Sequence, residues 1–103
     1  MIRFSTEEEN ENLEVKIEGD LDIDSTEIID EQLLPLLKTY KTVNLNFEQV
    51  PFVDSSGMGL LLNIVQSLGE KGTEVTISHV RQEVKDVFEL LQIPDILGEG
   101  VVI

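Results

Sequence analysis

The side chains that could do chemistry fall in two short acidic stretches. Asp20, Asp22 and Asp24 follow Gly19, and Asp54 is followed by Ser55, Ser56, Gly57, Met58 and Gly59. Carboxylates on alternate residues can bind a divalent cation or take up a phosphoryl group, and a hydroxyl beside an acid at a chain corner can accept one. In the second stretch Val50, Phe52 and Val53 read as the end of a buried strand, with Phe52 in the core. Asp54, Ser55 and Ser56 are residue types that cap a helix by accepting backbone N–H bonds, so a helix is expected to start at or just after the serines. Gly57 and Gly59 each weaken a helix by roughly 1 kcal/mol against alanine. Glycines there imply a sharp turn or a close approach by another group. A hydroxyl at this corner would be exposed near the positive end of a helix dipole, able to carry a phosphate without unfolding its own domain. On spacing alone the two serines fit equally well as caps.

Two rival chemistries share the acids. Asp20, Asp22 and Asp24 after a strand, joined by Asp54 at another strand end, resemble a Mg²⁺-dependent phosphotransferase site. The chain is short for that, however, and no lysine falls near a strand end to meet the phosphoryl charge. Asp20, Asp22, Asp24 and Glu31 also match positions one, three, five and twelve of a calcium loop, but Ser25 replaces the glycine needed at position six, and a strand precedes the loop where a helix should. His79, the single histidine, has no nucleophile to pair with and reads as a surface residue at the start of a helix.

The elements that must position these stretches can be read in order. Ile2 and Phe4, then Leu13, Val15 and Ile17, alternate with polar residues, giving an opening hairpin with a wide acidic turn over residues 5–12. Asp24 or Ser25 is expected to cap a first helix carrying Ile29, Leu33, Leu36, Leu37 and Tyr40, with an irregularity at Pro35. Val43, Leu45 and Phe47 form a strand ahead of the Asp54 stretch. Met58, Leu61, Leu62, Val65 and Leu68 mark the apolar arc of a second helix, with Leu60 and Ile64 at its edge and Gly69 near its end. Val75 and Ile77 give a further strand. Val80, Val84, Val87, Phe88 and Leu91 give a third helix, closed by Pro94, and Val101 to Ile103 fit an edge strand or a frayed end. The expected fold is one α/β domain over residues 1–103, with a mixed sheet of about four to five strands and three main helices. Both acidic stretches follow strands and should meet at the carboxyl end of the sheet, where sites in such folds gather.

Composition narrows the partners. Seven basic against twenty-one acidic residues give a net charge of −14, which argues against direct contact with nucleic acid or an anionic membrane and for a basic or mixed protein surface. With no cysteine, disulfides, thiolate catalysis and thiolate metal sites are excluded. No apolar run approaches the roughly 20 residues of a membrane span, and no signal-peptide pattern opens the chain, so a cytoplasmic location is expected.

Asp54-Ser55-Ser56-Gly57-Met58-Gly59 resembles the D-S-[ST]-G-[LM]-G signature of anti-sigma factor antagonists, bacterial members of the STAS domain family. Gly19-Asp20-Leu21-Asp22 resembles the G-[ED]-[LI]-D turn before the first helix of that family, and the likeness runs from about Leu13 to Ile96. The resemblance implies a partner-switching protein of transcription control, in stress response or sporulation, and not an enzyme. Ser55 would be the phosphoacceptor, and Asp22 would face it and contact the kinase. Asp20, Asp24, Asp54, Ser56, Gly57, Met58 and Gly59 would complete the docking surface. Its partners would be an anti-sigma factor with serine kinase activity and a phosphatase that resets the switch, with no cofactor or metal. A STAS scaffold in a larger signalling assembly is the alternative.

Overall fold

Alternation of apolar and polar residues along the strands builds a sheet with one dry and one wet face. The computed structural model describes residues 2–98 and 100–103; Met1, which opens the first strand-like segment of the sequence, lies outside the described residues. Strands β1 (Arg3–Glu9), β2 (Asn12–Glu18), β3 (Thr42–Gln49) and β4 (Glu74–Ser78) lie in the order β1-β2-β3-β4. The first pair is antiparallel and the other two are parallel. Register aligns Leu13 with Val43 and Val75, and Val15 with Leu45 and Ile77, and all six are buried. Helix residues fill the same core, with Phe88 meeting Phe47 edge-on at a centroid distance of 6.3 Å. The opposite face carries a polar ladder: Asn44 donates to Thr76 at 2.8 Å and accepts from Ser78 at 2.9 Å.

Several expectations change in detail. The acidic run does not form a wide turn, since Glu7, Glu8 and Glu9 pair within the hairpin and the reversal is confined to Asn10 and Glu11. Asn10 adopts φ 58°, a conformation asparagine tolerates better than most residues. The acids then lie on an exposed edge strand, where charge discourages pairing with another chain.

The first helical segment is composite. A 3-10 turn (Ile23–Ser25) leads to a π-helical stretch (Ile28–Leu33) and then to α1 (Leu34–Leu37). Leu34 N–H reaches back to Ile29 O, so the wide turn falls just before Pro35, whose ring cannot fit a regular turn in mid-helix. The expected irregularity at Pro35 is therefore a π turn.

Helix α2 (Ser55–Glu70) buries Met58, Leu60, Leu61, Ile64 and Leu68. Leu62 and Val65 are only half-buried, so the buried arc is rotated towards Leu60 and Ile64. Helix α3 spans Gln82–Leu90, and Val80 precedes it. Leu91 is exposed, and the break comes at Gln92 with φ 57°, so Pro94 lies in the first turn of α4 (Ile93–Leu97) instead of closing α3. At the C-terminus Val102 bridges Ile77 in parallel, with Ile77 N–H on Val101 O at 2.7 Å and Ile103 N–H on Ile77 O at 2.9 Å. The segment is thus tied to β4 through one isolated bridge, which adds no fifth strand to the sheet and leaves the end paired at Val102.

Candidate functional site

The two acidic stretches extend β2 and β3 beyond the sheet and stay paired. Gly19 N–H bonds Gln49 O at 3.0 Å, Leu21 N–H bonds Phe52 O at 2.9 Å, and Asp54 N–H bonds Leu21 O at 3.2 Å. Leu21 and Val53 form a parallel bridge with both side chains buried. Side chains alternate across an extended pair, so the flanking Asp20, Asp22, Phe52 and Asp54 turn outward. Asp20 and Phe52 are exposed, and Asp22 and Asp54 are half-buried. The expected meeting of the stretches at the carboxyl end of the sheet is found.

Each stretch opens a helical segment through an aspartate cap. The first cap is Asp22, upstream of the expected Asp24 or Ser25; its Oδ1 accepts from Asp24 N–H at 3.1 Å. Ser25 is buried and ties the loop to itself, accepting from Asp22 N–H at 3.2 Å and donating to Asp20 O at 3.1 Å. Asp24 is exposed. The second cap is Asp54, extended at φ −95° and ψ −175°, whose Oδ1 accepts from Gly57 N–H at 2.8 Å while its carbonyl accepts from Met58 N–H at 2.9 Å.

Because the acid caps α2, the serines are free for another use. Ser55 is the first residue of the helix and exposed; Ser56 is half-buried. Among the described residues neither hydroxyl has a hydrogen-bond partner in the protein. The two glycines differ. A Cβ on Gly57 would lie 2.0 Å from the Leu21 carbonyl oxygen, an impossible contact, whereas one on Gly59 would meet nothing within 4 Å. Gly57 thus lets the first turn of α2 settle on the backbone of the other stretch, and Met58 beside it is buried. Gly59 is exposed, with room for a side chain.

Sequence reasoning missed two residues. Phe52, expected in the core, is 51% exposed, because the Leu21–Val53 bridge commits the neighbouring positions to the outside. Ile23, on the turn after Asp22, is 68% exposed. Strict alternation counted back from Val53 would have found Phe52; nothing in the sequence marks Ile23.

Among the described residues no salt bridge reaches the acids of either stretch; the ion pairs are Arg3 with Glu18 and Lys41 with Glu11. Among those residues, too, no group of three or more carboxylates and imidazoles is placed to hold a metal ion. His79 is exposed at φ 57° before α3, with Nδ1 3.0 Å from Ser78 Oγ.

Comparison with known proteins yields consistent relatives. The family model for the STAS domain matches residues 3–101. The anti-sigma-B factor antagonist of Staphylococcus aureus is 26% identical over 97 residues, 93% of this chain and 90% of that one. The protein of the same name from Bacillus subtilis is 23% identical over 90 residues, covering 86% and 83%. Among solved structures, the anti-sigma factor antagonist SpoIIAA in its unphosphorylated form superposes with a TM-score of 0.67 at 25% identity, covering 85% of this chain and 83% of that one. The phosphorylated form of SpoIIAA from Bacillus superposes with a TM-score of 0.71 at 22% identity, covering 98% and 89%.

Proposed function

Since the chain belongs to the STAS domain family, we propose that it is an anti-sigma factor antagonist whose docking is switched off by a phosphate on Ser55. The observation that carries this reading is the exposed Ser55 hydroxyl, released from capping by Asp54 and set on a surface that both acidic stretches share. The names of the curated relatives support the same role. In the unmodified state the exposed and half-buried residues of the two stretches, Asp20, Asp22, Asp24, Asp54, Ser55, Ser56 and Gly59, dock in the cytoplasm on an anti-sigma factor that is also a serine kinase, and the sigma factor is released. The buried Gly57 and Met58 set the turn beneath them.

The protein is the substrate of the switching step and supplies no catalysis. Ser55 Oγ attacks the γ-phosphorus of ATP held by the kinase, ADP leaves, and the hydroxyl proton passes to a base on the kinase. The phosphate adds about −1.5 to −2 charges at pH 7. It arrives beside Asp54, on a surface whose carboxylates form no salt bridge among the described residues. A hundredfold loss of affinity needs only about 2.7 kcal/mol, well within the effect of one charge forced into an interface. The fold tolerates the group because the amides of Ser55 and Ser56, in the first turn, have no intrahelical acceptor and lie at the positive end of the α2 dipole. A phosphatase then returns the protein to its binding form.

The direct test is a pair of variants. Ser55→Ala should bind the anti-sigma factor of the same organism as the unmodified protein does and resist its kinase, and Ser55→Asp should bind at least tenfold more weakly. Equal binding by both would remove the switch.

A further inference from the structure

The docking surface has an apolar centre that the signature motif does not include. Ile23 stands on the turn that follows Leu21 and Phe52 precedes Val53; the Leu21–Val53 bridge joins the two loops that carry them, both side chains are exposed, and Asp54 and Ser55 follow Phe52 by two and three residues. We propose that Ile23 and Phe52 are the anchor residues of partner docking, and that the partner presents an apolar recess rimmed by lysine or arginine. This inference rests on the reading of the Ser55 surface as the docking face.

Three observations carry it. First, both side chains are large, apolar and more than half exposed, at 68% and 51%, although the loops that bear them are held firmly. Three backbone hydrogen bonds join the loops, Ser25 stitches the first one, and the Gly57 turn sits on the Leu21 carbonyl. An apolar side chain fixed in water on a rigid backbone loses little freedom when a partner covers it.

Second, the surroundings are charged with one sign. Asp20, Asp22, Asp24 and Asp54 flank the pair in sequence, and no ion pair among the described residues neutralises them. An apolar centre within a charged rim is the usual anatomy of an interface, and an acidic rim selects a basic one. Nucleic acid, the other basic-seeking alternative in transcription control, is repelled by the same charge.

Third, the arrangement explains how one phosphate can reach the whole contact. Ser55 follows Phe52 by three residues and starts helix α2, which packs against the Ile23–Ser25 turn. A phosphate there stands at the margin of the apolar centre, where it must be desolvated for the anchors to seat.

The test uses the full chain, unphosphorylated, titrated by calorimetry with the purified anti-sigma factor of the same organism. Ile23→Ala and Phe52→Ala should each weaken binding at least tenfold through faster dissociation, the mark of an anchor. Asp20→Asn should mainly slow association and flatten its salt dependence. Leu90→Ala, at the end of α3, outside both acidic stretches and 81% exposed, should bind like the parent. Because both anchors are exposed, thermal midpoints should stay close to the parent's, which separates lost contact from lost fold. Parent-like binding by both anchor variants would overturn the inference and leave the proposed function standing. A parent protein that does not bind the anti-sigma factor at all would overturn the proposed function and this inference with it. A shift of oligomeric state in Phe52→Ala, seen by sedimentation, would assign the patch to self-association and overturn it as well.

Discussion

At the scale of single residues, the site depends on which group caps α2. Asp54 takes the first-turn amide of Gly57, and Ser55 is left pointing to solvent. Asp54→Ala should lower stability by about 1 kcal/mol, the worth of a helix cap, as measured by denaturant unfolding. The glycines give a sharper comparison. Gly57→Ala places a methyl 2.0 Å from Leu21 O, so the two loops must part. It should destabilise the protein by several kcal/mol, or prevent folding, since overpacking against backbone has no side chain to yield. Gly59→Ala meets open space in a helix, and should leave stability unchanged or raise it by about 0.5–1 kcal/mol. The two glycines look equivalent in the sequence. What separates them is the carbonyl of Leu21, a backbone atom from a distant stretch that no local pattern announces.

At the scale of elements, the paired loops act as one platform because three backbone hydrogen bonds join them and the buried Ser25 holds the first loop together by bonding Asp20 and Asp22. Ser25→Ala leaves those backbone groups without their partner, and should cost about 1–3 kcal/mol by denaturant unfolding. Strand positions were legible because β2, β3 and β4 alternate cleanly and only one face is covered. The Asp54 helix was legible because cap, apolar spacing and signature coincide. Other features depended on tertiary pairing. The hairpin runs through the acidic residues because β1 is an edge strand whose outward side chains face water, so charge there carries no turn signal. Phe52 reads as core by composition, yet the Leu21–Val53 bridge fixes its parity to the outside. In α2, Leu60 and Ile64 displaced Leu62 and Val65 from the buried arc, since the turn at Gly57 sets the rotation of the helix over the sheet.

At the scale of the whole molecule, charge is the dominant feature. A net charge of −14, with two ion pairs among the described residues, means that the folded state repels itself. Raising NaCl from 20 to 500 mM, roughly a four- to fivefold drop in screening length, should raise the thermal midpoint measured by calorimetry; an unchanged or lower midpoint would show that the acids are compensated within the fold. The single tyrosine offers a second probe. Desolvation, followed by the hydrogen bond it donates to Glu8 at 3.1 Å and the Glu8 charge, holds the Tyr40 phenol above its usual value near 10. Its neutral form is favoured in the folded state. That contribution to stability is complete below the unfolded pKa, and is lost as pH rises through the folded one. Ultraviolet titration of the phenolate should therefore give a midpoint above 10, moving down in Glu8→Ala.

In the proposed function, one phosphate on Ser55 controls docking. The most direct measurement is calorimetric titration of the organism's own anti-sigma factor with two homogeneous samples, one unmodified and one phosphorylated on Ser55 as verified by mass spectrometry. The unmodified protein should bind, and the phosphorylated protein should bind about a hundredfold more weakly while giving the same circular dichroism spectrum. Equal affinity for the two samples would contradict the account and reduce Ser55 to an exposed first residue of α2.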